Sequence, residues 1–223
     1  IGGDAYYQSL SSSTVAGVSN PGSPDPAPEV FPISDANVDS WKLQAGGTPI
    51  NFTTCYDGLV LGPGKITGNV DFTSGCDMII KSPLWITGNF ILNSNNILTL
   101  DSSYGSTSGV IVVDGQITLN TKNTLAGTGQ GNSLLMALST FDSLANGNQS
   151  AITIGTNGNT GVFYAGKGII EPGSFNTYKE LTAWGIRLIN QSTIDYQTGL
   201  SSTLFSSGPG GTYTLVKGTY QVK

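Results

Sequence analysis

Ile66-Thr67-Gly68-Asn69 returns word for word as Ile86-Thr87-Gly88-Asn89, a step of 20 positions (86 − 66). A repeat near 20 residues is the sequence mark of a stacked architecture, in which each repeat buries an apolar face against its neighbours. Around the phrase, Ile66, Gly68, Val70 and Phe72 alternate with Thr67, Asn69 and Asp71. The same pattern runs through Ile86, Gly88, Phe90 and Leu92. Period-two alternation predicts strands with one buried face. Further on, Met78 and Ile80 match Leu98 and Leu100 at the same step. Equivalent residues should therefore stack, Asn69 over Asn89 and Thr67 over Thr87, as ladders of the kind that hold in-register parallel strands.

This reading predicts an all-β chain, a right-handed parallel β-helix with coils of about 20 residues. The alternative is a β-sandwich or jelly roll, which calls for hairpins rather than a verbatim phrase at one-coil spacing. Less regular strands are expected at 110–113, 116–119, 133–139, 151–154, 162–165, 183–189, 192–196 and 213–216. Insertions between Asp101 and Gly109 and between Ala126 and Asn132 enlarge single coils. One short amphipathic helix is predicted near the N-terminus. Ser34 can cap it, Val38, Trp41 and Ala45 share a face, and Gly46-Gly47 stop it. Its expected role is to cover an edge or flank of the sheet. Three segments follow: a β segment over 1–19, a connector over 20–33 holding five of the ten prolines, and the β-helix with its leading helix over 34–223.

Composition narrows function. Of 223 residues 31 are glycine, only 10% are charged and the net charge is −5. Arg187 is the only arginine and no basic run exists, so the footprint that a nucleic acid requires is missing. No histidine is present, which removes Ser-His-Asp and Cys-His catalysis. No stretch has the roughly 18 apolar residues of a membrane span. The chain starts at Ile1, which reads as a processed or trimmed fragment. Cys55 and Cys76 stand about one coil apart, within reach of a disulfide and hence an oxidising, extracytoplasmic setting; two free buried thiols are the alternative. Without histidine they make no zinc site.

No catalytic residue or metal site is assigned and no cofactor is expected; a single structural calcium bound by turn Asp and Asn oxygens is the one alternative. Carboxylates are scattered, Lys81 aligns with Asp101 as a cross-coil ion pair, and the glycine-rich 127–131 reads as a loop. Aromatics are the candidate binding residues: Trp85, Tyr104, Tyr164, Tyr178 and Trp184, with Tyr6, Tyr7 and Tyr196 behind them. Core or capping roles compete for each. The sequons at Asn51, Asn148 and Asn190 carry little in a chain this rich in Asn, Ser and Thr.

The motifs Pro32-Ile33-Ser34-Asp35, Trp41-Lys42 and Ala45-Gly46-Gly47 resemble the start of the C-terminal domain of PilX-type, prepilin-like pilus-assembly proteins. The similarity continues through Gly62-Pro63-Gly64-Lys65-Ile66, Trp85 to Asn89, Ser108 to Gly115, Leu138-Ser139-Thr140, Gly161 to Ala165 and the ending from Tyr196 to Gly211. The resemblance implies a bacterial, extracytoplasmic domain joined in the parent protein to a hydrophobic N-terminal helix. That missing helix would be its only tie to a membrane. It implies partners among pilus or cell-surface components and roles in assembly, display or adhesion, and it carries over no catalytic residue; polysaccharide or another surface is the further candidate partner. The sequence reading is thus a non-enzymatic structural or adhesive domain. The alternatives are a polysaccharide lyase or glycoside hydrolase and, third, a phage-type or cell-wall spike, which a trimeric assembly would support.

Overall fold

Among the described residues, short runs of alternating apolar and polar residues broken by Gly, Asn and Pro build many short strands and one α-helix. The computed structural model describes residues 2–10, 14–24, 31–47, 49–51, 54–72, 75–158 and 161–188, with the backbone of 193–194, 204–205 and 213–214. Two compact units emerge, Ile1–Phe31 and Pro32–Lys223. In the first, β1 (Ala5–Tyr7) pairs in parallel with β2 (Ser19–Pro21). The Asp4 carboxylate accepts from the Val18 N–H at 2.7 Å.

The second unit opens with α1 (Asp35–Gly46). Ser34 Oγ accepts from the Asn37 N–H while Asn37 Oδ1 accepts from the Ser34 N–H, a reciprocal cap. Strands follow as β3 (Leu59–Leu61), β4 (Gly64–Ile66), β5 (Val70–Phe72), β6 (Asp77–Ile80), β7 (Leu84–Ile86), β8 (Phe90–Ser94) and β9 (Ile97–Leu100). After a 3-10 turn at Ser102–Tyr104 come β10 (Gly109–Val113), β11 (Ile117–Thr121), β12 (Thr124–Ala126), β13 (Leu135–Ser139), β14 (Ser150–Ile154) and β15 (Val162–Glu171). The remainder are β16 (Thr177–Tyr178), β17 (Glu180–Ile186), β18 (Thr193–Ile194), β19 (Leu204–Phe205) and β20 (Tyr213–Thr214). The last two pair antiparallel and β16 pairs with β18. The strands expected over 192–196 and 213–216 lie partly outside the described residues.

The expected β-helix is corrected by the strand topology. Ten strands form one parallel sheet ordered β4-β7-β10-β13-β15-β14-β11-β8-β5, with β17 beside β15. The path climbs to β15 and returns. Its two ends, β4 and β5, are separated only by Thr67-Gly68-Asn69, so the sheet is nearly closed and barrel-like. A second parallel sheet of four strands, β12-β9-β6-β3, accompanies it. The cause lies in β15. Earlier layers break at a corner, such as Gly68-Asn69, where Gly68 has φ +93°. In β15 the chain passes through Gly166-Lys167-Gly168 as an irregularity and stays one ten-residue strand, welding the two halves together. Nor is the repeat uniform: Gly64, Leu84, Ile111, Ala137, Phe163 and Leu181 form one row, with steps from 18 to 27 residues.

The repeated phrase has a local explanation. Asn69 Oδ1 accepts from the Asn89 N–H at 2.8 Å, and Asn89 Oδ1 accepts from the Gln116 N–H at 2.9 Å. A Cβ on Gly88 would collide with Asn69 Oδ1, and one on Gly115 with Asn89 Oδ1. Each glycine is thus the space into which the asparagine of the preceding layer reaches.

Inside the sheets lie Ile66, Phe72, Ile86, Phe90, Leu92, Ile111, Ile117, Leu119, Ile152 and Phe163, with Leu61, Met78, Ile80, Leu98 and Leu100 from the smaller sheet. Each large apolar side chain buried this way contributes about 1.5–3 kcal/mol. A polar ladder runs through this core. Cys76 N–H donates to Asn96 Oδ1 at 3.1 Å, and Asn96 N–H donates to Asn123 Oδ1 at 3.1 Å. Gly158 N–H donates to Asn176 Oδ1 at 2.7 Å. Asn96 and Asn123 are wholly buried. At the far end the ladder becomes covalent, because Cys55 and Cys76 form a disulfide with Cα atoms 6.1 Å apart.

Candidate binding surface

Outward side chains of the ten-stranded sheet meet two different fates. On β4, β7, β10, β13 and β15 one row reads Lys65, Trp85, Val112, Leu138 and Tyr164. Helix α1 packs over β4, β7 and β10 and brings down Val38, Trp41 and Ala45, all buried. A 12-residue helix is about 18 Å long, close to the roughly 19 Å that five neighbouring strands span. Polar fastenings hold it. Lys42 pairs with Asp114 at 2.6 Å, and Asp114 also accepts from the Trp85 indole N–H at 3.0 Å and from Thr140. Lys65 lies 4.2 Å and Lys42 5.8 Å from the Trp85 ring centroid, a cation on an electron-rich face. At the helix N-terminus Lys167 pairs with Asp35 at 2.9 Å, and Asp35 holds the lysine above its usual pKa. Tyr164 donates to the Ile33 carbonyl at 2.8 Å.

The other half, β5, β8, β11 and β14, shows an outward row of Asp71, Ile91, Thr118 and Thr153, continuing to Glu171 on β15. Flanking it, Asn93 donates to Asp71 at 2.9 Å and Asn120 donates to Asn93 at 2.9 Å. Among the described residues no helix covers this face. The Thr118 and Thr153 hydroxyls, the Asn69 and Asn89 amide N–H groups and Asn120 Oδ1 have no protein partner among the described residues. At one margin Glu171 accepts from Ser150 at 3.0 Å and faces Arg187 at 3.4 Å.

The five predicted aromatics are not brought together. Trp85 is half-buried under α1. Tyr164 is 5% exposed beneath the same segment. Tyr178 is a core residue, edge-on to Phe163 at 6.2 Å, with its hydroxyl accepting from Asn176 and donating to the Gly173 carbonyl. Burial pushes its phenol up, as it does for half-buried Tyr104, which donates to the Ser82 carbonyl at 2.6 Å. Only Trp184 of the five is open, 50% exposed on β17. Trp85 does face out of the sheet, as alternation predicts, but α1 turns that face into a second core. The signal was in the helix itself, whose Val38, Trp41 and Ala45 need an apolar floor. Of the others, Tyr6 is exposed, Tyr7 bonds Ser19, and Tyr196 lies outside the described residues.

Charged groups form pairs rather than a centre. Among the described residues no three His, Cys, Asp or Glu side chains gather. Arg187 faces the single carboxylate Glu171. Asp101 aligns with Lys81 but caps the turn after β9, and Ser103 lowers its pKa more than Lys81 does. Burial raises the Glu180 carboxyl despite the Thr182 hydroxyl donating to it. Among the described residues no helix is long and apolar enough to cross a membrane. No family model, no curated protein and no solved structure matches this chain.

Proposed function

We propose that this chain is a non-enzymatic, extracytoplasmic structural and adhesive domain of a pilus-associated surface protein. The observation that carries the reading is the covalent end of the buried ladder: Asn123, Asn96 and Cys76 hand one layer to the next, and the Cys55–Cys76 disulfide closes the stack. A disulfide persists in oxidising compartments outside the cytoplasm. Buried amides satisfied layer by layer make a stiff scaffold suited to display, because a half-satisfied buried network would be costly. The pilus assignment rests on the resemblance of the motifs from Pro32 to Gly47 and beyond to PilX-type proteins.

The test is location together with association. An antibody to this chain should decorate intact cells that make it and should co-sediment with their sheared pili. Recovery from the cytoplasmic fraction alone, with Cys55 and Cys76 both reactive toward a thiol probe, contradicts the reading.

A further inference from the structure

We propose that the half of the large sheet that no helix covers among the described residues, centred on Thr118 and Thr153, is a binding site for a neutral, hydroxyl-rich polysaccharide lying across β8, β11 and β14. The inference deepens the adhesive part of the preceding reading and rests on it. Its foundation is the hydrogen-bonding capacity left over on this face. Within the rows every amide is partly used: Asn69 and Asn89 accept from backbone N–H groups through their oxygens, and Asn93 and Asn120 donate along the row. What remains among the described residues are N–H groups on Asn69 and Asn89, an acceptor on Asn120, and two hydroxyls that can do either. In-register parallel pairing repeats these groups from strand to strand at about 4.8 Å.

Charge decides the chemistry of the partner. The centre of the face, Ile91, Thr118, Thr153, Asn93 and Asn120, carries no charge. At its margins Asp71 is engaged by Asn93, and Glu171 faces Arg187. A charged polymer would find no counter-charge at the centre. An apolar partner would bury the leftover donors and acceptors unpaired, at about 1–3 kcal/mol each. A neutral polymer of hydroxyl groups pairs with both donors and acceptors, and Ile91 offers an apolar spot for the C–H face of a sugar ring.

The experiment uses the full chain with its disulfide intact. Depletion from solution is measured on amorphous cellulose and insoluble mannan as neutral probes, with a polygalacturonate gel as the charged comparator. At least one neutral probe should retain the protein. The Thr118→Glu/Thr153→Glu double variant should lower the bound-to-free ratio about tenfold or more, since it forces unpaired carboxylates into the contact. Thr118→Ala/Thr153→Ala, a milder change, should lower it in the same direction. Leu43→Glu, at an exposed position on α1, should leave it unchanged. Circular dichroism and unreactive cysteines establish that each variant is folded. Retention that survives both face variants removes this site while leaving adhesion standing. Retention on polygalacturonate alone, or self-association that the face variants abolish, also overturns the inference. No retention on any probe overturns both the site and the adhesive reading.

Discussion

The two halves of the large sheet share strand direction, register and an apolar interior, yet their outer faces differ. On the half that carries α1 the outward residues are Trp85, Val110, Val112, Met136, Leu138, Val162 and Tyr164, most of them fully buried. On the returning half they are Ile91, Asn93, Thr118, Asn120 and Thr153, none fully buried. Period-two alternation reports which residues leave the core of a strand and is silent on what meets them outside. The composition of the outward positions carries that second message: β-branched and aromatic residues need a cover, whereas Thr and Asn can face water.

The comparison is broken most strongly by truncating the covered face. Leu138→Ala should destabilise by about 2–5 kcal/mol through lost burial and a cavity beneath α1, whereas Thr118→Ala should stay within about 0.5 kcal/mol. Urea unfolding of both variants measures the contrast. Equal costs would mean that the two faces are equally covered. Next in size, reducing Cys55–Cys76 opens a loop that spans 21 residues in sequence and should cost about 3 kcal/mol, seen as a lower denaturation midpoint with reductant than without.

Gly88→Ala sharpens the comparison at the corner between the halves. Its Cβ would meet Asn69 Oδ1 and the Gly68 carbonyl, so about 1–3 kcal/mol should be lost. Removing the side chain it strikes, as Asn69→Ala/Gly88→Ala, should recover part of that loss in a double-mutant cycle. Asp114→Asn, which weakens the Lys42 anchor of α1, should cost under about 1 kcal/mol, and less at high salt, because both partners are partly hydrated. The smallest effect is pH-dependent. Burial raises the Glu180 pKa above its ordinary 4.5, so the folded state holds its proton more tightly than the unfolded state does. The associated stability is complete below 4.5 and is lost as pH rises through the folded value. Glu180→Gln should flatten that part of the stability–pH profile.

The legible parts of this fold were local. The 20-residue step put Ile66 opposite Ile86 and Met78 opposite Leu98, as the register has it. Ser34, Val38, Trp41 and Ala45 announced α1, and Cys55 and Cys76 announced their bridge. What could not be read was long-range. Gly166 and Gly168 look like a strand end in sequence, yet they let β15 run on and join the two halves. That junction separates a nearly closed sheet from a regular solenoid. The buried Asn96 and Asn123 carry no hydrophobic signal, so their ladder appears only once the layers are stacked. Thr118 and Thr153 lie 35 residues apart in sequence (153 − 118) and become neighbours only through the β11–β14 register.

Cysteine accessibility tests the contrast between the halves most directly. The native cysteines are locked in their disulfide and stay silent. In the folded protein, a Thr118→Cys variant, at a partly exposed position, should react readily with a maleimide probe. A Val112→Cys variant, beneath α1, should be strongly protected until denaturant is added. Protection at position 118, or equal reactivity at the two positions, would contradict a sheet covered on one half and open on the other.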